Sequence, residues 1–389
     1  MNGIYQIING QVLSPSGWLK NACVLIREGK IAEITTTPSD APEAMCVDAT
    51  GQYVVPGCID LHIHGGGGRD FMEATPEAFH TITQVHAQHG TTALLATLAA
   101  SSPDTIRQAA RVCESIQKQP QVGARVLGLH LECNYLNPTM KGAQDPAFLA
   151  VPNPDEYKAM LAETSCIKRW SASPELPGAL EFARYVSSQG VLVALAHTTA
   201  TYPQVKAAYG SGFTHATHFY NAMTGVHKEG IYKREGTIES VFLMDEMTVE
   251  VIADGIHVPP AILQLIYKLK GVARTALVTD AMASAACMVG TEIADKRVLI
   301  EDGVCKLADR SALAGSIATT DRLIRTMVQQ AGISLQDAVR MASETPARIL
   351  HIADRKGTLE VGKDADIVLF NEQIEVQKVF VEGVLMENK

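Results

Sequence analysis

Residues 53–64 read YVVPGCIDLHIH, a mostly apolar run that ends in two histidines and is followed by four glycines. β-Branched and other apolar residues over this length favour a strand that is buried on both faces, as in a parallel sheet. Residues two apart on a strand point to the same face, so His62 and His64 share one side. The run therefore predicts a strand whose end presents two imidazoles on the same face.

Seven more runs of this kind follow along the chain, and the stretches between them space their apolar residues as helices do. The runs are TTALLAT (91–97), RVLGLHLE (125–132), CIKRWSASPE (166–175), VLVALAH (191–197), FTHATH (213–218), TVEVIADGIH (248–257) and TALVTDA (275–281). Eight β-rich runs alternating with helices predict an α/β protein whose parallel strands close into a (β/α)8 TIM barrel.

Most of these runs end in an acidic residue or a histidine. The residues at the ends are His62, His64, Glu132, Glu175, His197, His218, His257 and Asp280. The carboxyl ends of the strands of a TIM barrel meet at one mouth, where the chemistry takes place. We therefore expect these side chains, which span more than two hundred residues of sequence, to share one pocket.

Both ends of the chain show a different pattern, with short β-branched runs separated by glycine-centred turns and no helical period. Such segments predict strands. We expect residues 1–54 and 357–389 to form one small β-sandwich domain and residues 55–356 to form the barrel.

The composition excludes several classes of partner. The chain has 389 residues and a formal net charge of −9, which argues against nucleic acid or an anionic membrane as its main partner. No secretory signal and no apolar run long enough to span a bilayer are found. The eight cysteines are scattered without a CxxC pair, as is typical of reduced thiols, so we expect a cytoplasmic enzyme.

Histidine and carboxylate are the ligands that zinc and related divalent ions prefer, and a catalytic metal site keeps one position open for water. Glu132, His197 and His218 supply such a set, each from a different strand end. His62 and His64 could hold a second ion, with Glu132 as a bridge between the two. The ligands also suit iron, manganese or cobalt, so neither the metal nor the number of ions is fixed, although zinc is favoured.

Amide hydrolysis also needs a group that takes a proton from the attacking water and gives one to the leaving nitrogen. Asp280, at the end of the eighth run, is the candidate for this step. Other histidines are interpreted differently: His130 as a possible neighbour of the ligands, His215 as core packing, and His80, His86, His89 and His351 as non-catalytic residues in helical stretches.

The chain resembles the N-acetylglucosamine-6-phosphate deacetylase family of the amidohydrolase superfamily. The matching motifs are PGCIDLHIHGG (56–66), LGLHLE (127–132), LAHTTA (195–200), THATHFYNAM (214–223), IADGIHV (252–258), LVTDAM (277–282), LAGSIATTD (313–321), PARIL (346–350) and GTLEVGKDADIVLF (357–370). The resemblance covers nearly the whole chain in order.

The resemblance implies the same ligands and the same role for Asp280. It also implies that Asn221 and Ala222 hold the substrate phosphate, partly through backbone N–H groups, and that His257 contacts the sugar or its phosphate. The family is typically homodimeric, and an arginine in the loop after residues 221–223 reaches the phosphate site of the neighbour. Arg234 is the candidate here, with His227, Lys228 and Lys233 as rivals.

Three departures from the family pattern bear on the substrate. Cys133 and Asn134 replace the usual Gly-Pro after Glu132, and the Arg-Glu-Pro-Gly motif is reduced to residues 234–236 in a loop that is longer. Gln144 stands where some members carry a histidine that polarises the substrate carbonyl; its amide N–H can donate to an oxyanion but carries no charge.

The predicted function is metal-dependent hydrolysis of N-acetylglucosamine 6-phosphate to glucosamine 6-phosphate and acetate. One alternative keeps the chemistry and changes the substrate to another N-acyl amino sugar, an N-acyl amino acid or a cyclic amide. A second alternative is a catalytically silent relative that serves as a binding protein, against which the retained Asp280 and the complete ligand set argue.

Overall fold

The computed structural model describes residues 3–119, 122–287 and 298–386. The strands are β1 (Tyr5–Ser14), β2 (Gly17–Arg27), β3 (Lys30–Thr35), β4 (Met45–Asp48), β5 (Tyr53–Pro56), β6 (Cys58–Ile63), β7 (Gly65–Gly66), β8 (Arg69–Asp70), β9 (Thr91–Leu98), β10 (Arg125–Leu131), β11 (Ile167–Ala172), β12 (Leu192–Leu195), β13 (Phe213–Ala216), β14 (His227–Glu229), β15 (Tyr232–Arg234), β16 (Thr248–Ile252), β17 (Thr275–Val278), β18 (Val298–Glu301), β19 (Val304–Leu307), β20 (Ile367–Phe370), β21 (Val376–Val381) and β22 (Val384–Leu385). The α-helices are α1 (Pro76–Ala87), α2 (Pro103–Gln117), α3 (Pro154–Glu163), α4 (Ala179–Ser188), α5 (Tyr202–Tyr209), α6 (Thr237–Phe242), α7 (Pro260–Lys270), α8 (Thr320–Gln329), α9 (Leu335–Ala342) and α10 (Glu344–Ile349).

The central sheet is the predicted parallel barrel. Its eight strands follow the order β6, β9, β10, β11, β12, β13, β16 and β17, and each of the eight runs identified in the sequence supplies one of them. Most of their residues are buried, and β6, β9 and β17 are buried throughout, because helices cover the outside and side chains fill the inside. The (β/α)8 prediction is confirmed.

The barrel closes between its first and last strands. The backbone N–H of Asp280 donates to the carbonyl oxygen of His62 over 2.8 Å, and Ile63 forms a parallel bridge with Ala281. Below this seam the buried carboxylate of Asp60 accepts hydrogen bonds from Thr279 Oγ1 at 2.6 Å and from the backbone N–H of His62 at 3.2 Å. The seam brings the last residues of β6 and β17 side by side at the mouth.

Helices α1, α2, α3 and α9 begin after a residue whose side chain accepts a hydrogen bond from the backbone of the first turn. Ser102 caps α2, accepting a hydrogen bond from the N–H of Thr105 at 3.2 Å, with Pro103 at the first helical position. The apolar face of α2, which includes Ile106, Ala109 and Cys113, is buried against the barrel. None of the helices in the described ranges has an apolar stretch long enough to cross a bilayer.

The two ends of the chain meet in one small β domain, as predicted. The N-terminal strands β1 to β5 and the C-terminal strands β20 to β22 join in a single eight-stranded sheet, where β20 pairs antiparallel with β5. An apolar cluster separate from that of the barrel fills this domain and includes Ile7, Val24 and Phe380. The predicted boundaries of the domains stay predictions; β5 crosses the first of them and continues in the small sheet to Pro56.

Buried ion pairs join the small domain to the barrel. The ammonium group of Lys356 lies 2.9 Å from Asp364 Oδ2, 2.6 Å from Asp366 Oδ2 and 3.2 Å from Glu382 Oε1. Arg125, the first residue of β10, donates to Glu382 Oε2 over 2.7 Å from the barrel side. The group formed by Lys356, Asp364, Asp366 and Glu382 is called the junction cluster below.

Candidate metal centre

Glu132, His197 and His218 come together at the mouth although they follow three different strands. Glu132 Oε1 lies 2.8 Å from His218 Nε2 and 3.1 Å from His197 Nε2, and the two Nε2 atoms are 3.2 Å apart. All three residues are buried, and the candidate ligand atoms lie within 4.8 Å of one another. This set, called the strand-end group, could therefore hold one metal ion.

The other oxygen of Glu132 faces the two histidines of the first barrel strand. Oε2 lies 3.5 Å from His62 Nε2 and 3.4 Å from His64 Nε2, and these nitrogens are 3.3 Å apart. His62, His64 and Glu132 form a second set that could hold an ion, called the HxH group. One carboxylate thus has one oxygen turned to each pair of histidines, which is the arrangement that a bridging ligand requires.

Asp280 faces the same centre. Its Oδ1 atom lies 3.4 Å from His62 Nε2 and 3.3 Å from His64 Nε2, and the residue is buried with 8% of its surface exposed. The carboxylate is therefore directed toward the HxH group and not away from it.

The far sides of the rings show that the Nε2 atoms are the ones presented to a metal. His62 Nδ1 lies 2.7 Å from Glu250 Oε1, and His197 Nδ1 lies 2.7 Å from the carbonyl oxygen of Met140. Because a carboxylate or carbonyl accepts the Nδ1–H, the lone pair of each ring is on Nε2. Within the described residues His218 Nδ1 has no hydrogen-bond partner. The donor set thus fits a divalent metal ion bound through Nε2 and carboxylate atoms.

The electrostatics of the mouth favour positive charge at its centre. Burial disfavours a charged ring at His62, but the neighbouring carboxylates, first that of Asp280 and then that of Glu132, raise its pKa well above the ordinary value. Burial acts in the same way on His64, yet hydrogen bonds to Asp280 and Glu132 raise its pKa to about 9. The pKa of Glu132 is lowered well below its ordinary value, since the charge of His62 outweighs burial.

Several residues of the centre adopt left-handed backbone conformations that side chains other than glycine rarely take. The φ angles are 46° at His197, 27° at His218 and 47° at Asp280. Each such conformation costs roughly 1–3 kcal/mol and persists only where surrounding contacts impose it. The strain falls at the strand ends, where the chain must turn a side chain into the mouth while leaving the sheet.

Gln144 lies beside Glu132 on the loop between β10 and α3. Its Nε2 donates to Glu132 Oε2 over 3.0 Å, and its Oε1 accepts from the N–H of Ala100 at 2.8 Å. The backbone donor fixes the orientation of the amide, so the NH₂ group is the one that faces the metal ligand. Asn134, at φ 58°, binds both backbone groups of Ser101 and anchors the start of the same loop.

His257 is held by an acidic residue that the sequence interpretation did not single out. Its Nδ1 lies 2.8 Å from Asp254 Oδ2, and Asp254 Oδ1 accepts from the backbone N–H of the same histidine, also at 2.8 Å. The side chain of His257 is buried, and within the described part of the chain its Nε2 has no hydrogen-bond partner. A buried ring nitrogen without a partner suits contact with a bound molecule.

Asn221 and Ala222 follow His218 in the loop after β13. Both the backbone N–H and the carboxamide of Asn221 donate to the carbonyl oxygen of His218, at 2.9 and 3.2 Å. Ala222 has φ 49°, and its carbonyl oxygen accepts from the N–H of Thr198 at 3.0 Å. A phosphate bound here would have to replace the internal bonds of Asn221 or use the backbone of Ala222.

Arg234 is not brought into the metal centre. It ends β15 of an exposed two-stranded hairpin formed with β14, and its Nε donates to Glu229 Oε2 over 2.8 Å. His227 lies opposite Arg234 in this hairpin, and Lys228 lies opposite Lys233. The role of Arg234 toward a neighbouring subunit stays a prediction.

Glu250 and Arg169 are the main residues that the sequence interpretation missed. Both are fully buried inside the barrel below the ligands, where Arg169 Nη2 donates to Glu250 Oε1 over 2.9 Å. A signal was present for Glu250, which is the one charged residue of the strand TVEVI, whereas Arg169 follows Lys168 in the strand IKRWSA and does not stand out there. His86, interpreted as non-catalytic, donates through Nε2 to the carbonyl oxygen of Gly65 at 2.9 Å and so supports the glycine turn beside His64.

The remaining histidines of the barrel interior lie below the ligands. His130 bonds Thr97 Oγ1 and Ser171 Oγ, and its ring packs edge-on against His62 with centroids 4.6 Å apart. His215 is buried with its Nε2 3.3 Å from Glu250 Oε2.

Comparison with known proteins agrees with this geometry. Residues 53–386 match the amidohydrolase family. N-Acetylglucosamine-6-phosphate deacetylase of Lysinibacillus sphaericus is 31% identical over 379 residues, which cover 97% of this chain and 96% of the relative. N-Acetylgalactosamine-6-phosphate deacetylase of Escherichia coli O157:H7 is 32% identical, covering 96% and 97%. A point mutant of the Mycobacterium smegmatis N-acetyl-D-glucosamine-6-phosphate deacetylase, solved with N-acetyl-D-glucosamine-6-phosphate, is 29% identical, with a TM-score of 0.90 over 99% of this chain and all of that one.

Proposed function

This chain belongs to the amidohydrolase family as a metal-dependent deacetylase, and we propose that it hydrolyses the acetamide of N-acetylglucosamine 6-phosphate to glucosamine 6-phosphate and acetate. The observation that supports this best is the convergence of Glu132, His197, His218 and Asp280 at one barrel mouth in a chain whose relatives carry that activity.

Glu132, His197 and His218 would hold the principal ion, and His62 and His64 would hold a second one with Glu132 as the bridge. A bound divalent ion supplies Lewis acidity, which makes a water molecule more acidic and polarises the carbonyl oxygen of the acetamide. Zinc is the metal that we favour, with iron, manganese and cobalt as alternatives, because the ligands are imidazole and carboxylate without thiolate.

Asp280 would move the proton. Burial raises the pKa of Asp280, but the charge of His62 and the hydrogen bond from His64 outweigh it and lower the pKa, so the carboxylate is ionised at neutral pH. An ionised carboxylate can take the proton of the attacking water and return it to the amide nitrogen as the C–N bond breaks. The NH₂ group of Gln144, oriented by Ala100, would donate to the oxygen that becomes negative.

The sugar phosphate would be held by Asn221, Ala222 and His257 on the same chain. Asp254 keeps the Nδ1 of His257 engaged, which leaves Nε2 for a substrate oxygen. Arg234 would bind the phosphate in a second copy of the chain, since its hairpin is exposed and projects from the loop after residues 221–223. We therefore propose a homodimer, and a cytoplasmic location, where phosphorylated sugars are metabolised.

Acetate release by the purified, metal-loaded protein tests the proposal. We expect activity on N-acetylglucosamine 6-phosphate and a much lower kcat/KM on unphosphorylated N-acetylglucosamine. Asp280→Asn, matched in size and expected to keep the metal, is the control for contaminating deacetylases. No acetate from any N-acetylated amino-sugar phosphate would overturn the substrate assignment.

A second candidate substrate is N-acetylgalactosamine 6-phosphate. The relative that carries this activity is as similar as those that act on the glucosamine sugar. The departures at Cys133, Asn134 and the hairpin of Arg234 also fall in loops around the mouth, where another N-acyl amino sugar would be selected. Comparing kcat/KM for the two sugars, which differ only at C4, separates these candidates.

A further inference from the structure

Glu250 lies at the centre of β16 and contacts both groups of candidate ligands. The residue is fully buried between Val249 and Val251 in the chain. Its Oε1 atom lies 2.7 Å from Nδ1 of His62, in the HxH group, and accepts from the backbone N–H of His218, in the strand-end group, over 3.0 Å. One carboxylate oxygen of Glu250 therefore contacts a residue of each group, His62 through its ring and His218 through its backbone.

A buried carboxylate persists as an anion only if it is paired. Arg169 supplies that pairing through Nη2 at 2.9 Å and through a close contact of Nη1 with Oε2. The guanidinium is itself anchored by the carbonyl oxygen of Leu61 at 3.1 Å and by Thr217 Oγ1 at 2.9 Å. Burial raises the pKa of Glu250, but the charge of Arg169 outweighs it and lowers the pKa well below the ordinary value.

An anion in this place has two consequences for metal binding. It accepts the Nδ1–H of His62 and so places the lone pair of that ring on Nε2, 3.3 Å from His64 Nε2. It also binds the N–H of His218, where the chain has the unfavourable φ of 27°. The side chain of one ligand and the backbone of another thus depend on the same oxygen atom.

From these contacts we propose that Glu250, paired with Arg169, is a positioning residue that sets the metal affinity of the HxH group and couples it to the strand-end group. The inference rests on the metal dependence proposed above and concerns binding rather than chemistry. Losing a partner that orients a ligand histidine typically costs 10–100-fold in metal affinity.

The test is a metal titration of the Glu250→Gln variant. Wild-type protein, stripped with a chelator, is titrated with Co²⁺ while its visible absorption is recorded, and bound zinc is counted by elemental analysis at fixed free zinc. His62→Ala identifies the titration step that depends on the HxH group. We expect Glu250→Gln to shift that step to about 10–100-fold higher metal concentration.

Asp60→Asn is the matched control. Asp60 is also a buried carboxylate next to His62, but it accepts from the backbone N–H of His62 and from Thr279, not from the ring. We expect Asp60→Asn to leave the titration unchanged. A Glu250→Gln protein that binds both metals with wild-type affinity would overturn the proposal, as would a wild-type titration that His62→Ala does not change.

A double variant separates a loss of stability from a loss of metal binding, and the titration itself is separate from the question of substrate. If the single variant is unstable because Arg169 is left unpaired, the double variant Glu250→Gln with Arg169→Met removes both charges, and the same shift is expected. Since no substrate is present in these titrations, their result is independent of which sugar the enzyme accepts. Wild-type protein that binds no divalent metal would instead refute the proposed function.

Discussion

The mouth of the barrel and the junction cluster are both buried groups of carboxylates, but they are neutralised in different ways. At the junction the ammonium of Lys356 faces three carboxylates, and Lys30 and Arg125 pair with Asp364 and Glu382 from outside. At the mouth Arg169 is bound to Glu250, whereas Glu132 and Asp280 face the Nε2 atoms of histidines.

The kind of partner that neutralises the carboxylates distinguishes the junction cluster, a structural ion-pair network, from the mouth, a candidate metal site. A lysine or arginine brings a permanent charge and directs its donors to the carboxylates, which closes the cluster. Histidine brings a charge only when it binds a proton, and it exchanges that proton for a metal ion. Within the described residues the carboxylates of Glu132 and Asp280 therefore pair with histidines and not with a lysine or arginine. Left-handed φ angles occur in both groups, at His197, His218 and Asp280 in the mouth and at Glu382 in the junction cluster, so the chemistry of the partners is what distinguishes them.

Replacing Asp280 by asparagine should have the largest effect of the changes at the mouth. Asparagine keeps the size of the side chain but cannot accept the proton of the attacking water, so we expect kcat to fall by about 10³-fold. The bound metal and the melting temperature should stay near wild type, since the proposed ligands are all retained. Steady-state acetate release with elemental analysis of the same samples measures both. A fall of less than tenfold would contradict the proposed role of Asp280.

Replacing Lys356 by methionine should give the opposite result, with stability lost and chemistry retained. The change leaves buried carboxylates without their shared partner, a loss of about 3–5 kcal/mol in the free energy of unfolding. Thermal denaturation measures this loss, and kcat below the lowered melting temperature should equal that of the wild type. A variant that stays stable but loses metal would show that the two clusters are not separate.

The stability that Lys356→Met loses should depend on pH. Burial raises the pKa of Asp364 and Glu382, but pairing with Lys30 and Arg125, respectively, and with Lys356 outweighs it and lowers both values. Their pairing thus stabilises the wild type above the ordinary carboxyl pKa and is lost as the pH falls through the lowered values. In Lys356→Met, protonation of these carboxylates as the pH falls instead removes their unpaired negative charge and so stabilises the variant. We expect the gap in melting temperature between metal-free wild type and Lys356→Met to narrow from about pH 7 to about pH 4.5.

The barrel could be predicted from sequence because its strands carry a strong local signal. Most runs are rich in apolar and β-branched residues and most end in an acidic residue or a histidine, so both the number of strands and the residues at the mouth follow from the pattern. The sequence predicts that both termini share one domain, but it does not predict that β5 pairs with β20. Short antiparallel strands do not specify their partners locally.

The parts of the site that could not be predicted depend on contacts between distant strands. Glu250 was visible only as a charge inside an apolar run, and nothing in the run indicates that Arg169, 81 residues away, pairs with it. The predicted phosphate contact of Asn221 also competes with a local hydrogen bond, since the backbone N–H of Asn221 already donates to the carbonyl oxygen of His218. Such competition is decided by the conformation of the loop rather than by residue type.

Gln144 offers a smaller test at the edge of the mouth. Its amide touches Glu132 and is proposed to stabilise the oxyanion, so Gln144→Ala should lower kcat by about 10²-fold. KM should change little, because this interaction strengthens only as negative charge develops. Metal analysis supplies the control. If the loss of rate matches a loss of metal, Gln144 acts by orienting Glu132 and the oxyanion role is wrong.

The smallest effect is expected at Arg234, and it follows from the same contrast. The guanidinium of Arg169 is bound to Glu250 and is therefore not the cation that we assign to the substrate phosphate. Arg234, which is exposed on its hairpin, is the arginine proposed for that role. Arg234→Ala should raise KM for the phosphorylated sugar by about tenfold, or about 1.4 kcal/mol, and leave kcat near wild type.

Lys233→Ala is the matched control, because neighbouring residues of a strand point to opposite faces of the hairpin and both positions are exposed. The unphosphorylated sugar should be insensitive to either change, since it has no charge to bind. If Arg234 acts across a dimer interface, mixing Arg234→Ala with Asp280→Asn subunits restores a fraction of sites that have an intact Asp280 and a partner's Arg234. Mixed dimers with no such recovery of the wild-type KM would show that Arg234 does not act across the interface.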